Sequence, residues 1–135
     1  MEKLNADVNK FLGNFTAPFV VEPMREGVGF KVRFTDGRPM PPELPDAATL
    51  SGGQKVQLAV AFRLATYCTF ASKLGLLVLD EPTAYLDDAN IECFGELLVK
   101  VAKIAQNMGI QILIATHDKI VLNYSSNVIS LEPKH

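Results

Sequence analysis

Three short stretches combine residue types suited to handling a polyphosphate. Leu50-Ser51-Gly52-Gly53-Gln54 sets a hydroxyl and two glycines where a long helical pattern begins. The first amide N–H groups of a helix have no partner inside it, and the helix dipole adds partial positive charge, so an anionic oxygen is favoured there. Glycine in that turn costs up to about 1 kcal/mol per residue against alanine, and in return it permits close backbone approach. Ser51, Gly52, Gly53 and Gln54 are therefore candidate phosphate-binding residues. A lone Ser-Gly-Gly reads as an ordinary cap, but the whole pentamer arises by chance on the order of once in 10⁴ chains of this size.

The other two stretches end apolar runs on polar groups. Leu76-Leu77-Val78-Leu79 leads into Asp80-Glu81, and Ile112-Leu113-Ile114-Ala115 leads through Thr116 into His117. A continuous apolar run is typical of a strand covered on both faces, and the C-terminal edge of an open α/β sheet is where ligands bind. Asp80 suits Mg²⁺, which keeps much of its hydration shell. Glu81 suits a water attacking a terminal phosphate. Pro82 and the apolar run hold the two acids more rigidly than a solvated loop would. A single histidine is more often structural, yet His117 falls at the same sheet edge as the acids. Asp87 stands where an N-cap belongs, before a helix beginning at Asp88.

The elements that must position these groups follow from periodicity. Residues 2–13 pattern as an amphipathic helix through Leu4, Val8, Phe11 and Leu12. Phe19-Val20-Val21 and residues 29–34 alternate as antiparallel strands, and the prolines of 39–45 forbid regular structure. A long, mostly buried helix is expected from Ser51 to about Lys73, then a buried strand, a helix from Asp88 to Gln106, and a second buried strand over 110–115. A short helix from Asp118 to Tyr124 and a last strand from Asn127 to Leu131 complete a parallel βαβ series, so the fold class is α/β.

The motifs resemble those of a known family. Leu50 to Gln54 matches letter for letter the signature motif of ABC-type ATPases, which binds the γ-phosphate of ATP held by the opposite protomer. The Asp80-Glu81 strand end resembles a Walker B motif with its catalytic glutamate, and Thr83-Ala84-Tyr85-Leu86-Asp87 resembles the D-loop, which lies across the dimer interface. His117 stands at the place of the switch histidine. The resemblance implies Glu81 and His117 as catalytic residues, Asp80 on the metal, and Ser51, Gly52, Gly53, Gln54 and Asp87 around ATP, with ATP and Mg²⁺ as cofactors.

From Gln54 to Asp80 is 26 residues, which makes the signature helix longer by roughly two turns than in ABC transporters. With Ala61-Phe62-Arg63-Leu64-Ala65 inside that helix, the chain is similar to Rad50 and its bacterial and phage counterpart SbcC, which are SMC-like DNA repair ATPases. In that group the arginine matching Arg63 switches partners when ATP closes the dimer, and Lys55 stands where a basic residue is common. On the residues alone, Arg63 reads nearly as well as a helix-surface ion pair.

The resemblance divides the chain into a helix over 1–14, the stub of a coiled coil, then a β hairpin and Pro-rich linker over 15–49, and the C-terminal lobe of a P-loop NTPase head over 50–135. It implies an ATPase acting as a head–head homodimer in DNA double-strand break repair or recombination. The partner would be a nuclease of the Mre11/SbcD type, with DNA contacted indirectly, in the cytoplasm near the nucleoid or in a nucleus. The alternatives are half of another ABC ATPase, of the transporter, SMC or RecN type, or a non-catalytic interaction module with this fold.

Bulk composition agrees. A chain of 135 residues has room for one compact domain, and 48% hydrophobic with 21% charged residues is ordinary for a globular chain. A net charge of −2 excludes the global basic balance of a standalone DNA-binding domain. No apolar run reaches the roughly 18 residues of a bilayer span, so no membrane role is expected. Cys68 and Cys93 lack metal-ligand spacing and read as buried, reduced thiols of a reducing interior. One departure from the family stands out: no G-x-x-x-x-G-K-[S/T] phosphate loop occurs in the chain. ATP turnover is expected only when an N-terminal lobe carrying that Walker A loop completes the head, either from a longer protein or from a separate chain.

Overall fold

A computed structural model describes residues 2–84, 86–125 and 127–131. Helix α1 (Glu2–Asn14) turns Val8, Phe11 and Leu12 inward, and these pack with Phe15, Phe19, Val21 and Val32 in one apolar core. Strands β1 (Phe19–Pro23) and β2 (Phe30–Phe34) pair antiparallel, with Val21 opposite Val32. Asn9 ties α1 to the hairpin: its Nδ2 donates to the Val21 carbonyl at 3.0 Å, and its Oδ1 accepts from the Val21 N–H at 2.8 Å. The proline linker forms no ladder of its own, but its Pro45 carbonyl accepts from Val32 N–H at 2.9 Å.

Helix α2 (Gly52–Phe70) places Val56, Val60, Ala61, Leu64, Ala65 and Tyr67 in the core. A short 3-10 turn, Ser72–Leu74, then leads into β3 (Leu76–Asp80). Helix α3 (Asp88–Met108) is strongly amphipathic and buries Ile91, Phe94, Leu97, Leu98 and Val101. It carries the chain over to β4 (Gln111–Ala115), which pairs parallel to β3 with Asp80 opposite Ala115. Helix α4 (Lys119–Leu122) returns to α3 through buried Val121. The architecture is thus α/β, with an antiparallel hairpin beside a parallel pair joined by a helical crossover.

Three sequence expectations fail in instructive ways. The apolar runs of β3 and β4 are not covered on both faces: Leu79 is buried, whereas Val78 and Leu113 remain 54% and 53% exposed. Period-2 alternation puts Leu76, Val78, Asp80, Gln111, Leu113 and Ala115 on one open face, while α2 and α3 cover the other. Residues 127–131 form no strand; Val128, Ile129 and Leu131 lie exposed, because an apolar run becomes a strand only where a ladder accepts it. The two cysteines are free, as expected, but only half-buried. Partial burial still pushes both thiols above the ordinary cysteine range.

Candidate nucleotide site

Ser51 caps α2 as its position suggested. The Gln54 N–H donates to Ser51 Oγ at 3.3 Å, and Gln54 Oε1 accepts from the Ser51 N–H at 3.1 Å, closing a reciprocal capping box. Glycine at 52 and 53 has a further cause that sequence reasoning missed. A Cβ on Gly52 would lie 2.4 Å from Asn90 Nδ2, and one on Gly53 would lie 3.3 Å from Cys93 Sγ. The two glycines therefore let the start of α2 sit against the first turns of α3. Asn90 in turn donates its N–H to Asp87 Oδ1 at 2.9 Å, so Asp87 is the N-cap of α3. Through Asn90, the signature turn and the Asp87 cap are neighbours. Tyr85, within the same loop, lies outside the described residues, as do Met1, Ser126 and residues 132–135.

The second cluster forms at the C-terminal ends of β3 and β4. Asp80 closes β3 as its last residue, exposed on the open face. Glu81 follows in the left-handed region, φ +46°, which costs a non-glycine residue roughly 1–2 kcal/mol. Its N–H donates to the Ala115 carbonyl at 2.8 Å and its carbonyl accepts from the Ala84 N–H at 3.2 Å, so the backbone is held from both sides. The reversal brings Glu81 Oε1 to 3.0 Å from His117 Nδ1. An ionised carboxylate has no proton to give, so Nδ1 must carry the hydrogen. The hydrogen bond and charge of Glu81 raise the imidazole pKa above its ordinary value, with Asp118 adding a smaller contribution. A protonated ring keeps Nε2–H free as a donor. Glu81 Oε2 is buried and has no hydrogen-bond partner. An orphaned buried acceptor is costly unless something fills it, and a polarised water or a phosphate-bound hydroxyl would.

Behind this pair, Thr83 Oγ1 lies 3.5 Å from Asp118 Oδ2. Asp118 Oδ1 accepts from the Ile120 N–H at 2.9 Å, and the Asp118 N–H donates to Thr116 Oγ1 at 3.0 Å. These partners stand 35 residues apart in sequence and carry no spacing signal. Lys55 and Arg63 lie elsewhere, on the rim of a cavity of about 220 Å³ between α2, β3 and α3 whose floor includes Val60, Leu79 and Phe94. Neither makes an ion pair among the described residues, so the surface-pair reading of Arg63 is not met. No hydrogen bond of the described residues links Ser51–Gln54 to Glu81 or His117; the two clusters are separate. The described residues also hold no group of three or more metal-ligating side chains. Asp80 alone, with solvent on the open face, fits a magnesium ion that takes most of its ligands from water and phosphate oxygens.

Comparison with known proteins follows the same lines. The model of the family described as "AAA domain, putative AbiEii toxin, Type IV TA system" matches residues 32–123. The DNA repair protein RAD50 of Dictyostelium discoideum is 41% identical over 85 residues, 62% of this chain and 6% of that protein. A DNA double-strand break repair Rad50 ATPase of Sulfurisphaera tokodaii is 30% identical over 133 residues, 98% of this chain and 14% of its own length. The chain thus spans only a small part of the curated relatives it matches. Among solved structures, the SMC head domain from Thermotoga maritima superposes with TM-score 0.64 at 25% identity, covering 93% of this chain and 41% of that one. A structure described under ATP-driven dimerization and DNA stimulated activation of SMC ATPases superposes with TM-score 0.66 at 17% identity, covering 98% and 78%; at that identity the likeness concerns the fold.

Proposed function

Because the chain belongs to this AAA-domain family, as part of an ABC-type ATPase head resembling those of Rad50 and SMC proteins, we propose that it is the C-terminal half of a Rad50-type head that binds and hydrolyses ATP between two heads during DNA double-strand break repair or recombination. The observation that carries the reading is the Glu81–His117 pair at the sheet edge, with the second Glu81 oxygen buried and unpartnered. In this reading the Glu81 carboxylate orients the attacking water and draws its proton as the oxygen nears phosphorus. When its ring is charged, His117 donates Nε2–H to a γ-phosphate oxygen. Asp80 holds the Mg²⁺ that offsets phosphate charge. Ser51, Gly52, Gly53 and Gln54 face the nucleotide of the opposite head, with the Ser51 hydroxyl and the free amides of α2 as donors, and Asp87 aligns the two halves. Arg63 and Lys55 act as the switch and gain partners when the heads close.

A Walker A segment supplies the phosphate cradle, two such heads form the dimer, and a nuclease of the Mre11/SbcD type and DNA act through it, in the nucleoid or nucleus. Among the described residues no helix is long and apolar enough to cross a membrane. The test is reconstitution. The chain alone is expected to show no Mg-dependent ATPase, and adding the phosphate-loop segment of the same head is expected to create it. Glu81→Gln then removes turnover while ATP still drives dimerisation. Hydrolysis by this chain alone, or turnover that survives Glu81→Gln, overturns the proposal.

A further inference from the structure

The turn that carries Glu81 and the turn that carries His117 are laced together at more than the pair itself. Glu81 N–H bonds the Ala115 carbonyl across the ladder, and Thr83 meets Asp118 one step behind the acid and the imidazole. Thr83 is 4% exposed and is the one buried polar residue among those described. Its hydroxyl is removed from water, so it needs a partner, and Asp118 Oδ2, at 3.5 Å, is the acceptor it faces. Asp118 is itself fixed on both sides, by Thr116 Oγ1 on its N–H and by the Ile120 N–H on Oδ1. His117 sits between Thr116 and Asp118, so its backbone is held on both sides, and among the described residues its ring bonds Glu81. The Leu86 N–H donates to the Thr83 carbonyl at 3.0 Å, so Thr83 is fixed by its backbone as well.

We propose that Thr83, acting through Asp118, is a positioning residue that keeps the His117 ring on the Glu81 carboxylate. The inference rests on the proposed function only in treating Glu81 and His117 as the groups worth positioning. The geometry of the clamp stands without nucleotide. A Thr-to-Val change keeps the shape of the side chain and removes the hydroxyl. Asp118 then loses its hold on the Glu81 turn, and the imidazole becomes free to leave the carboxylate.

The experiment is ¹⁵N spectroscopy of the histidine rings in the whole chain, with His135→Gln leaving a single imidazole and no nucleotide present. The wild type is expected to show a hydrogen-bonded Nδ1–H, and Glu81→Ala, which leaves no acceptor there, marks the position of the released ring. Thr83→Val should move the His117 signals toward the Glu81→Ala position with the backbone amide spectrum otherwise kept, and Thr83→Ser should restore them. If Thr83→Val does not fold, Thr83→Ala, which creates space rather than filling it, takes its place against Thr83→Ser. Signals that stay at the wild-type position in the folded hydroxyl-free variant overturn the inference. Failure of the ATPase reconstitution leaves this measurement untouched, so the two proposals fail separately.

Discussion

At the scale of single residues, the two clusters differ in how structure and chemistry share a side chain. Ser51 is both helix cap and candidate phosphate donor, so Ser51→Ala would confuse the two by removing a cap worth about 1 kcal/mol. Ser51→Asp separates them. Aspartate caps as well as serine, so urea unfolding is expected to show unchanged stability, while ATP-driven dimerisation of the reconstituted head is lost to the added negative charge. The Glu81–His117 contact predicts a pH effect. The pKa of His117 is raised in the folded chain, so the stabilisation is fully present below about pH 6.5, the ordinary histidine value, and is lost as pH rises through the folded value. The ring is 87% exposed, so the effect is small and is weakened by salt. Unfolding curves across that window should show wild-type stability falling with pH relative to His117→Gln, in low salt. The places of Ser51, Glu81 and His117 were legible because each stands at or beside the end of a regular element. The Thr83–Asp118 link was not, since nothing in two polar residues so far apart announces that they meet.

At the scale of elements, helix boundaries and strand pairing were readable from periodicity and caps, and α1, the hairpin, α2, α3 and α4 fall where expected. Small residues at helix contacts were not readable, because a glycine gives no hint of what lies against it. Gly95 illustrates this. It lies on the buried side of α3, and a Cβ there would lie 2.3 Å from the ring of Tyr124, whose hydroxyl bonds Glu92 on the same helix. The ring rests on bare backbone and seats the segment after α4. Gly95→Ala is a gain in helix propensity on paper. Here it is expected instead to destabilise the chain by about 1–3 kcal/mol through overpacking, read as a lower urea midpoint with an unchanged slope. The missing strand over 127–131 belongs at this scale too: the pattern was right for a strand, but no edge receives it.

At the scale of the whole molecule, the open face of β3 and β4 decides what the chain needs. The run Leu76 to Leu79 has the composition of an interior strand covered on both faces. Only α2 and α3 on one side supply cover among the described residues, and Asp80 lies on the bare side. This is the side on which the proposed phosphate-loop segment would bring nucleotide to Asp80, the proposed metal ligand. Leu113 tests that placement. It is half exposed, and changes at such positions usually shift stability by less than about 0.5 kcal/mol. Leu113→Lys should therefore keep the melting temperature of the chain while abolishing capture of the phosphate-loop segment in a pull-down. Wild-type capture by the variant would place that segment elsewhere.

The left-handed backbone at Glu81 has an evolutionary consequence. Glycine or asparagine would occupy that conformation with less strain, so a lineage selected only for persistence of the fold would drift away from glutamate at this position. Keeping an acid there sets durability against use. Among descendants of this chain, residue 81 should be the first to record whether the proposed turnover is under selection, well before the core around Phe15 and Val32 registers any change.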